Sequence, residues 1–401
     1  MTVYVLVFGV ALLLAVLTSA VADRSPLSTS TVFLAVGLIA GPLGLGLIEV
    51  ESIHVEHAAE VTLFAILFTD GQHAPLKVVA GNWRAPAQAL VIGMPLTFLI
   101  VAGLGHWIAG LPWTPALVLG AVLAPTDPVF ASALVGRDDV PPRVRHTLNI
   151  ESGLNDGLAL PAVLLLAGLA GGDPESWTTD PWLLLTELGT GVALGVVLPV
   201  AIAAVLRLPG IGAVEGLRPL GPLAVALILY GACDLLHANQ FLAAFIAGAT
   251  IATIRPAASD AFRRTGDLVS ELAKGGALLA FATLLDVEVF TDAGVAGVVL
   301  ALAVVLVSRP LPAYCSLFGT DLTRRERLAV SWFGPKGFAS VAYAVIVAFS
   351  DMDADQHVFA LVTVAVLVSV VAHSSTDVAV ARVLARDSVS PAPSRPAYRR
   401  R

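Results

Sequence analysis

Charge is scarce in this chain. Asp, Glu, Lys and Arg make up 13% of its 401 residues, against roughly 25% in ordinary soluble domains. Its 57% hydrophobic content and mean hydropathy of +0.86 leave far more apolar surface than a soluble fold can hide. Cysteine is nearly missing as well: Cys233 and Cys315 fall in or beside apolar runs, which excludes a disulfide framework and predicts two free thiols. Alternation with period two is lacking, so a membrane β-barrel is excluded. The first apolar run, 3–22, lacks a basic n-region, is long for a signal core and is followed at once by another run. It reads as a retained helix. What is present is a succession of apolar runs of about 18 residues or more, each enough to cross a bilayer. The expected fold class is an all-α polytopic membrane protein, with the lipid bilayer as a partner and no nucleic acid. The net charge of −7 says little about partners, because placement matters here more than the total.

Breaking the chain at Pro, Gly and charge clusters gives thirteen candidate spans. They cover 3–22, 28–48, 58–76, 85–109, 114–135, 147–170, 182–206, 219–236, 240–254, 267–285, 294–312, 328–349 and 356–381. The loops at 49–57, 171–181, 286–292 and 350–355 hold no Lys or Arg. The alternate loops carry Arg24, Lys77, Arg84, Arg137, Arg143, Arg145, Arg207, Arg218, Arg255, Arg263, Arg264, Arg324, Arg325 and Arg327. With Arg382, Arg386, Arg395, Arg399, Arg400 and Arg401, twenty of the 23 basic residues fall on one side. Basic loops face the cytoplasm, so the N-terminus is expected outside the plasma (inner) membrane and the C-terminus inside. Trp83, Trp107, Trp113, Trp177 and Trp182 sit at span ends, as an interfacial aromatic belt requires. Lys274, Arg309 and Lys336 are left within or near the ends of spans, and each needs a partner or a route to water.

Two spans carry breaks. Span five is interrupted at Pro125-Thr126-Asp127-Pro128 and span twelve at Gly334-Pro335-Lys336-Gly337. Proline removes a helix hydrogen bond and glycine loosens the turn, so both spans are expected to unwind near the midplane. Free carbonyls at that depth are tolerated only when buried in protein or lining a wet cavity. The breaks lie seven spans apart, and an odd offset reverses direction through the membrane. Spans one to six and eight to thirteen are therefore expected to form two inverted six-helix repeats, with discontinuous helices five and twelve crossing near the midplane. Paired breaks of this kind are the best sequence pointer to a transporter's binding site. The resulting organisation is one transmembrane transporter domain over 1–385, with halves at 1–170 and 219–381 and a linker helix at 182–206. Residues 386–401, Pro/Ser-rich and basic, are expected to be a short disordered cytoplasmic tail.

The segment Glu151-Ser152-Gly153-Leu154-Asn155-Asp156-Gly157 places two carboxylates and an amide inside span six. Carboxylates in hydrocarbon are costly and mark functional sites. Ser152, Asn155 and Asp156 share a helix face through their i, i+3 and i+4 spacing. Glu151 lies about 7 Å along the axis from Asp156. The unwound turn at Thr126 and Asp127 offers a carbonyl, a hydroxyl and a second carboxylate, and Asp70 in span three is placed to reach the same cavity. An all-oxygen set suits a hard cation, and the lack of a His/Cys cluster argues against a transition metal. Asp156 is the expected exchanging carboxylate, because one group that holds either a proton or a cation suffices for exchange. Asn155 is neutral, so the pair loads one charge.

Each residue has a plainer reading. Asp127 fits an N-cap for the second half of span five as well as a ligand. Asp70 fits an interfacial turn residue as well as a cavity residue. Glu151 reads better as a member of a structural ion pair; depth favours Lys336 as its partner, with Arg309 the other candidate. Lys274 reads as a snorkelling residue at the end of span ten. His54, His57 and His357 read as solvated loop residues.

These motifs resemble the monovalent cation:proton antiporter family of the NhaP and eukaryotic sodium/proton exchanger type, over most of the chain. Gly37-Leu38-Ile39-Ala40-Gly41-Pro42 and Leu67-Phe68-Thr69-Asp70-Gly71 resemble its second- and third-helix signatures. The segments around Asp127 and Asp156 resemble its two core motifs, and Phe241-Leu242-Ala243-Ala244-Phe245-Ile246-Ala247-Gly248 a later helix. The resemblance implies a thirteen-helix inverted repeat with a mobile core domain beside a dimerisation domain, hence a homodimer. It implies Asp156 as the essential carboxylate, with Thr126, Ser152, Asp127 and Asp70 near the ion. It also implies electroneutral one-for-one exchange, from the Asn-Asp pair. One departure stands out: the family's Gly-x-Arg-Gly in the broken twelfth helix is here Gly334-Pro335-Lys336-Gly337. Lysine keeps the charge and loses the rigid fork of donors.

The expected function is secondary active exchange of protons for Na⁺, K⁺ or Li⁺, with no cofactor. A cation channel or uncoupled transporter is the competing reading, disfavoured because no repeated selectivity-filter loop is present. A membrane enzyme is disfavoured because Ser152 lacks a His base and no other nucleophile–base pair lies in the spans.

Overall fold

The computed structural model describes residues 2–22, 29–48, 52–73, 83–127, 140–171, 181–206, 208, 214–349, 352 and 355–389. Among them the regular structure is entirely helical. The helices are α1 (Thr2–Ala22), α2 (Thr29–Ala40), α3 (Ser52–His73), α4 (Arg84–Trp107), α5 (Trp113–Leu123), α6 (Pro142–Gly171) and α7 (Pro181–Val205). They continue as α8 (Leu220–Leu235), α9 (Gln240–Ile254), α10 (Pro256–Ala282), α11 (Val287–Ser316), α12 (Arg324–Trp332), α13 (Phe338–Ala348) and α14 (Asp355–Val389). Each expected span overlaps one of these helices, and span twelve overlaps two, α12 and α13. Pro128, the rest of span five, Arg24, Lys77, Arg137, Trp177 and residues 390–401 lie outside the described residues. The helix α14 continues past Arg386, where the tail was expected to begin, to Val389.

Among the described residues six segments are long and apolar enough to cross a membrane by length and composition: Arg84–Trp107, Pro142–Ala170, Leu185–Val205, Glu215–Leu235, Val287–Ser316 and Asp355–Leu384. Shorter apolar helices, among them α5, α9 and α13, fill the interior between them. Burial sorts the helices. In α14 72% of the most apolar window is buried, whereas in α7 only 22% is, so α14 is a central helix and α7 a peripheral one. The outward faces carry large apolar side chains such as Leu17, Val197, Leu227 and Val295, while Asp127, Glu151, Asp156, Lys274, Arg309 and Lys336 are buried. Apolar outside and charged inside is what a lipid solvent selects. The chain is a multi-pass membrane protein.

Small residues set the helix spacing. The helices α3 and α9 pack together, and a Cβ on Gly248 would collide with the Phe68 carbonyl. Close backbone approach through small residues is the usual packing device in membranes. Trp107 at the end of α4 meets Trp113 at the start of α5 edge-on at 5.7 Å, and His106 stacks on Trp113 at 4.2 Å. Such an aromatic cluster, with Trp107 and Trp113 both exposed, fits a membrane–water interface.

Local irregularities have local causes. In α11, Ser308 ends a π-helical turn that starts at Val304, and Arg309 and Pro310 follow at once. Proline at 310 has no N–H to donate, so the ladder widens there, and single π turns recur at functional positions. The turn delivers Arg309 into the interior, where it is 2% exposed.

Candidate functional site

The two broken spans meet. The helix α5 stops at Leu123, and the chain then passes through Ala124, Pro125 and Thr126 to Asp127, whose N–H donates to the Pro335 carbonyl at 2.9 Å. Pro335 lies in the gap between α12 and α13. Lys336, 1% exposed, turns its Nζ to the Ala124 and Pro125 carbonyls at 3.4 and 3.2 Å. It thus supplies a positive charge where the end of α5 leaves carbonyls without helix partners. Asp127 does the converse. Its Oδ2 accepts from the N–H of Phe338, the first residue of α13, at 3.0 Å. A Cβ at Gly337 would overlap the Asp127 side chain, so the glycine is what admits the carboxylate. Ser340 adds a hydroxyl bond to the Val122 carbonyl at 2.9 Å. The N-cap that Asp127 could form on the second half of span five falls outside the described residues; the cap described here is on the other broken span.

One turn of α6 faces this crossing. Ser152 donates to the Thr126 carbonyl at 2.8 Å, and Asn155 Nδ2 donates to Thr126 Oγ1 at 2.8 Å. The shared face read from the i, i+3 spacing is therefore the face that ties α6 to the break of span five. Asp156 is 4% exposed, and its backbone carbonyl accepts from the Tyr343 hydroxyl at 2.5 Å. Its Oδ1 has no hydrogen-bond partner, and neither has Asn155 Oδ1. Buried polar atoms almost always have partners, so an orphan oxygen on each of two successive residues marks a place that a ligand can complete. A crevice of about 10 Å³ lies at the crossing, lined by Thr126, Asp127, Leu148, Ser152, Phe333, Gly334 and Pro335. That is close to the minimum for a single water.

Glu151 points elsewhere. Its Oε1 lies 2.5 Å from Arg309 Nη2, with both side chains at most 4% exposed. Depth along the spans favoured Lys336 for this role, and the structure assigns the contact to Arg309. The reason is that Lys336 is held by the carbonyls ending α5. A Cβ at Gly334 would strike the Arg309 side chain, so the break in span twelve also makes room for the pair.

Asp70 and Lys274 lie within electrostatic reach of Asp127 and Asp156. Asp70, Asp127 and Asp156 feel one another's charge and all three feel Lys274. Lys274 was read as snorkelling towards water. It is instead 8% exposed, on the inner face of α10. Beside it Ser270 meets the Thr69 hydroxyl at 2.9 Å, which couples α10 to α3 one residue before Asp70. Sequence reasoning passed over Tyr343, Ser340 and the burial of Lys274. The signal for Lys274 was its spacing from Ser270, i and i+4, on one polar stripe of an otherwise apolar helix end. For Tyr343 there was none. Among the described residues no three His, Cys, Asp or Glu side chains close on a common metal position. A cation here would therefore draw on hydroxyl, amide and carbonyl oxygens as well as carboxylate.

A span whose helix stops at Leu123 and a span broken between α12 and α13, crossing with opposite charges on each other's helix ends beside buried carboxylates, form an arrangement of the kind found at the binding sites of secondary transporters. The sequence profile of the family described as "Sodium/hydrogen exchanger, transmembrane" matches residues 10–382, and the chain belongs to that family. It is 27% identical over 385 residues to a K(+)/H(+) antiporter NhaP2 of Shewanella sp. (strain ANA-3), covering 94% of this chain and 66% of that protein. It is 25% identical over 380 residues to the K(+)/H(+) antiporter NhaP of Alkalimonas amylolytica, covering 92% of this chain and 64% of the relative. The chain thus spans just under two thirds of the length of these relatives. Its fold matches that of the sodium proton antiporter MjNhaP1 from Methanocaldococcus jannaschii at a TM-score of 0.79, covering 95% of this chain and 98% of the other at 22% identity.

Proposed function

We propose that this protein exchanges protons for a monovalent alkali cation, Na⁺, K⁺ or Li⁺, one for one across the membrane. Asp156 is the group that carries either the proton or the cation. The observation that carries this reading is Asp156 Oδ1, buried and without a partner beside the crossing of two broken spans. A permanently paired carboxylate would be structural; an unpaired one is available to a proton or an ion, and a site that holds only one of them at a time couples their movement. Asn155 supplies a neutral oxygen and adds no second charge, which favours one-for-one exchange. Thr126, Ser152 and Asp127 line the crevice that a dehydrated ion would enter, and Asp70 and Lys274 set the field around it.

The relatives named above as K(+)/H(+) antiporters and the fold of a sodium proton antiporter support the same reading. The two six-helix halves are taken as inverted repeats that rock about this site, in a homodimer with the N-terminus outside and the C-terminus cytoplasmic. The distribution of Lys and Arg among the loops supports that orientation.

The test is dye-quench measurement of proton movement in proteoliposomes. Addition of Na⁺, K⁺ or Li⁺ should dissipate an imposed pH gradient for the intact chain and leave it standing for Asp156→Ala. Cation-dependent proton movement that persists in Asp156→Ala overturns the assignment of that residue. Cation flux with no proton movement in the intact chain overturns exchange itself.

A further inference from the structure

In a continuous helix, the N–H of Lys336 would donate to the carbonyl of Trp332, four residues earlier. The break between α12 and α13 removes that bond, yet both groups are satisfied, and from one place. The Lys336 N–H donates to Ser369 Oγ at 2.8 Å, and His373 Nε2 faces the Trp332 carbonyl at 3.1 Å. Ser369 and His373 sit one turn apart on the central helix α14, and Ser369 Oγ lies 3.1 Å from His373 Nδ1. The two side chains stand in the ladder at the point where it has parted. Side chains inserted into an i→i−4 ladder are a recognised cause of helix kinks.

We propose that Ser369 and His373 are positioning residues that hold span twelve open by replacing the lost Lys336–Trp332 hydrogen bond with a side-chain bridge. The inference rests on the exchange reading above only for its functional consequence. The bridge fixes where Lys336 leaves the break, and Lys336 in turn caps the end of α5. It also fixes Gly337, against which Asp127 is packed. Thr376, one further turn along α14, receives the Trp332 indole N–H at 3.0 Å, so the end of α12 is tied to α14 by main chain and side chain together. His373 is 1% exposed and lies against the rings of Trp332 and Phe333 at 5.4 and 6.3 Å.

Hydrogen-bond chemistry determines one feature of the bridge. The contact of Nε2 is a carbonyl oxygen, which only accepts, so Nε2 carries a proton. Nδ1 is satisfied in either state: it accepts from the Ser369 hydroxyl at 3.1 Å when bare, or donates to the Ser369 carbonyl at 2.8 Å when protonated. The neutral tautomer with its proton on Nδ1 alone is incompatible with the bridge.

Two measurements on the full-length chain in lipid nanodiscs test this. Side-chain ¹⁵N spectra of histidine-labelled protein, with His373 assigned by its loss in His373→Gln, are expected to show a protonated Nε2 and a shift of that signal in Ser369→Ala. A bare Nε2, or a signal that Ser369→Ala leaves in place, overturns the bridge. In proteoliposomes, His373→Leu keeps the volume and loses the bond, and exchange should slow about tenfold, the scale of one buried hydrogen bond. His373→Gln, whose amide reaches the position of Nε2, should restore most of the rate. The pair Ser369→Ala with His373→Leu should be little worse than His373→Leu alone, because either change opens the bridge. Wild-type rates in both single variants, or fully additive losses, overturn the positioning role. Should His373→Leu fail to fold, Ser369→Ala, which removes a single hydroxyl, decides the functional arm. An intact chain with no cation-coupled proton movement would end the exchange reading while the spectra still decide the bridge.

Discussion

Lys336 and Asp127 each neutralise the helix end opposite their own break. The ammonium from the break of span twelve lies on the carbonyls that end α5, and the carboxylate from the break of span five caps the first N–H of α13. Half-helix dipoles that would otherwise leave partial charges unanswered inside hydrocarbon are thereby matched by full charges of the right sign. The lysine that departs from the family's arginine pattern suits this task. A compact ammonium reaches both the Ala124 and the Pro125 carbonyl.

Removing that ammonium should be costly. Lys336→Met keeps the aliphatic bulk and leaves the Ala124 and Pro125 carbonyls without a donor. The expected result is a fall in thermal stability of about 1–3 kcal/mol and loss of exchange, whereas Lys336→Arg keeps the charge and retains part of both. Scanning fluorimetry alongside vesicle transport checks it, and a fully active Lys336→Met would refute the assigned role.

Asp127 separates capping from charge. Asp127→Asn keeps an acceptor for Phe338 N–H and should preserve the fold, because Asn caps about as well as Asp. Asp127→Ala should lose roughly 1 kcal/mol from the missing cap. If Asp127 also faces the ion, Asp127→Asn weakens apparent cation affinity while leaving the melting temperature near that of the parent. Equal affinities in Asp127→Asn and the parent would restrict Asp127 to capping.

The buried Glu151–Arg309 pair behaves differently from both. Glu151→Ala or Arg309→Ala strands a charge in the interior and should cost about 3–5 kcal/mol, while replacing both with apolar residues of similar volume should recover most of that loss. Expression and melting of the Glu151→Leu, Arg309→Met double variant against each single change is the measurement. A double variant no better than the worse single one would mean that the pair does more than hold α6 to α11.

On the exchange reading, Lys274 would compete with a cation for the same carboxylates. Lys274→Gln removes one positive charge facing Asp70, Asp127 and Asp156, so apparent cation affinity should rise by about threefold to tenfold, the scale of a Coulomb term near 1 kcal/mol. The half-saturating cation concentration in the dye-quench assay reads this directly, and an unchanged value would return Lys274 to a packing role.

Asp156 and Lys274 show how far the sequence could be read. The segment around Asp156 is conspicuous because hydropathy exposes a carboxylate in an apolar span, and because i, i+3 and i+4 spacing is a local property that survives into the fold. Ser152 and Asn155 accordingly both meet Thr126, as their spacing implied. Lys274 was misread because its burial depends on α3 and α10 packing together, which no window along α10 contains. Glu151 was given two candidate partners because depth along a span is known only to within about a turn, and two cations lay within that error.

The membrane class, the helical positions and the two breaks were determined by the sequence alone. Each follows from composition over about twenty residues or from the missing N–H of a proline, and neither depends on distant contacts. Which charge answers which helix end was decided only in three dimensions. Asp127 finds Phe338 across 211 positions of sequence, and the side chains that bridge the break of span twelve come from α14, 33 residues beyond Lys336. Such pairings are set by the directions in which packed helices present their side chains, and the unpartnered Asp156 oxygen at the centre is recognisable only once every neighbour around it has been placed.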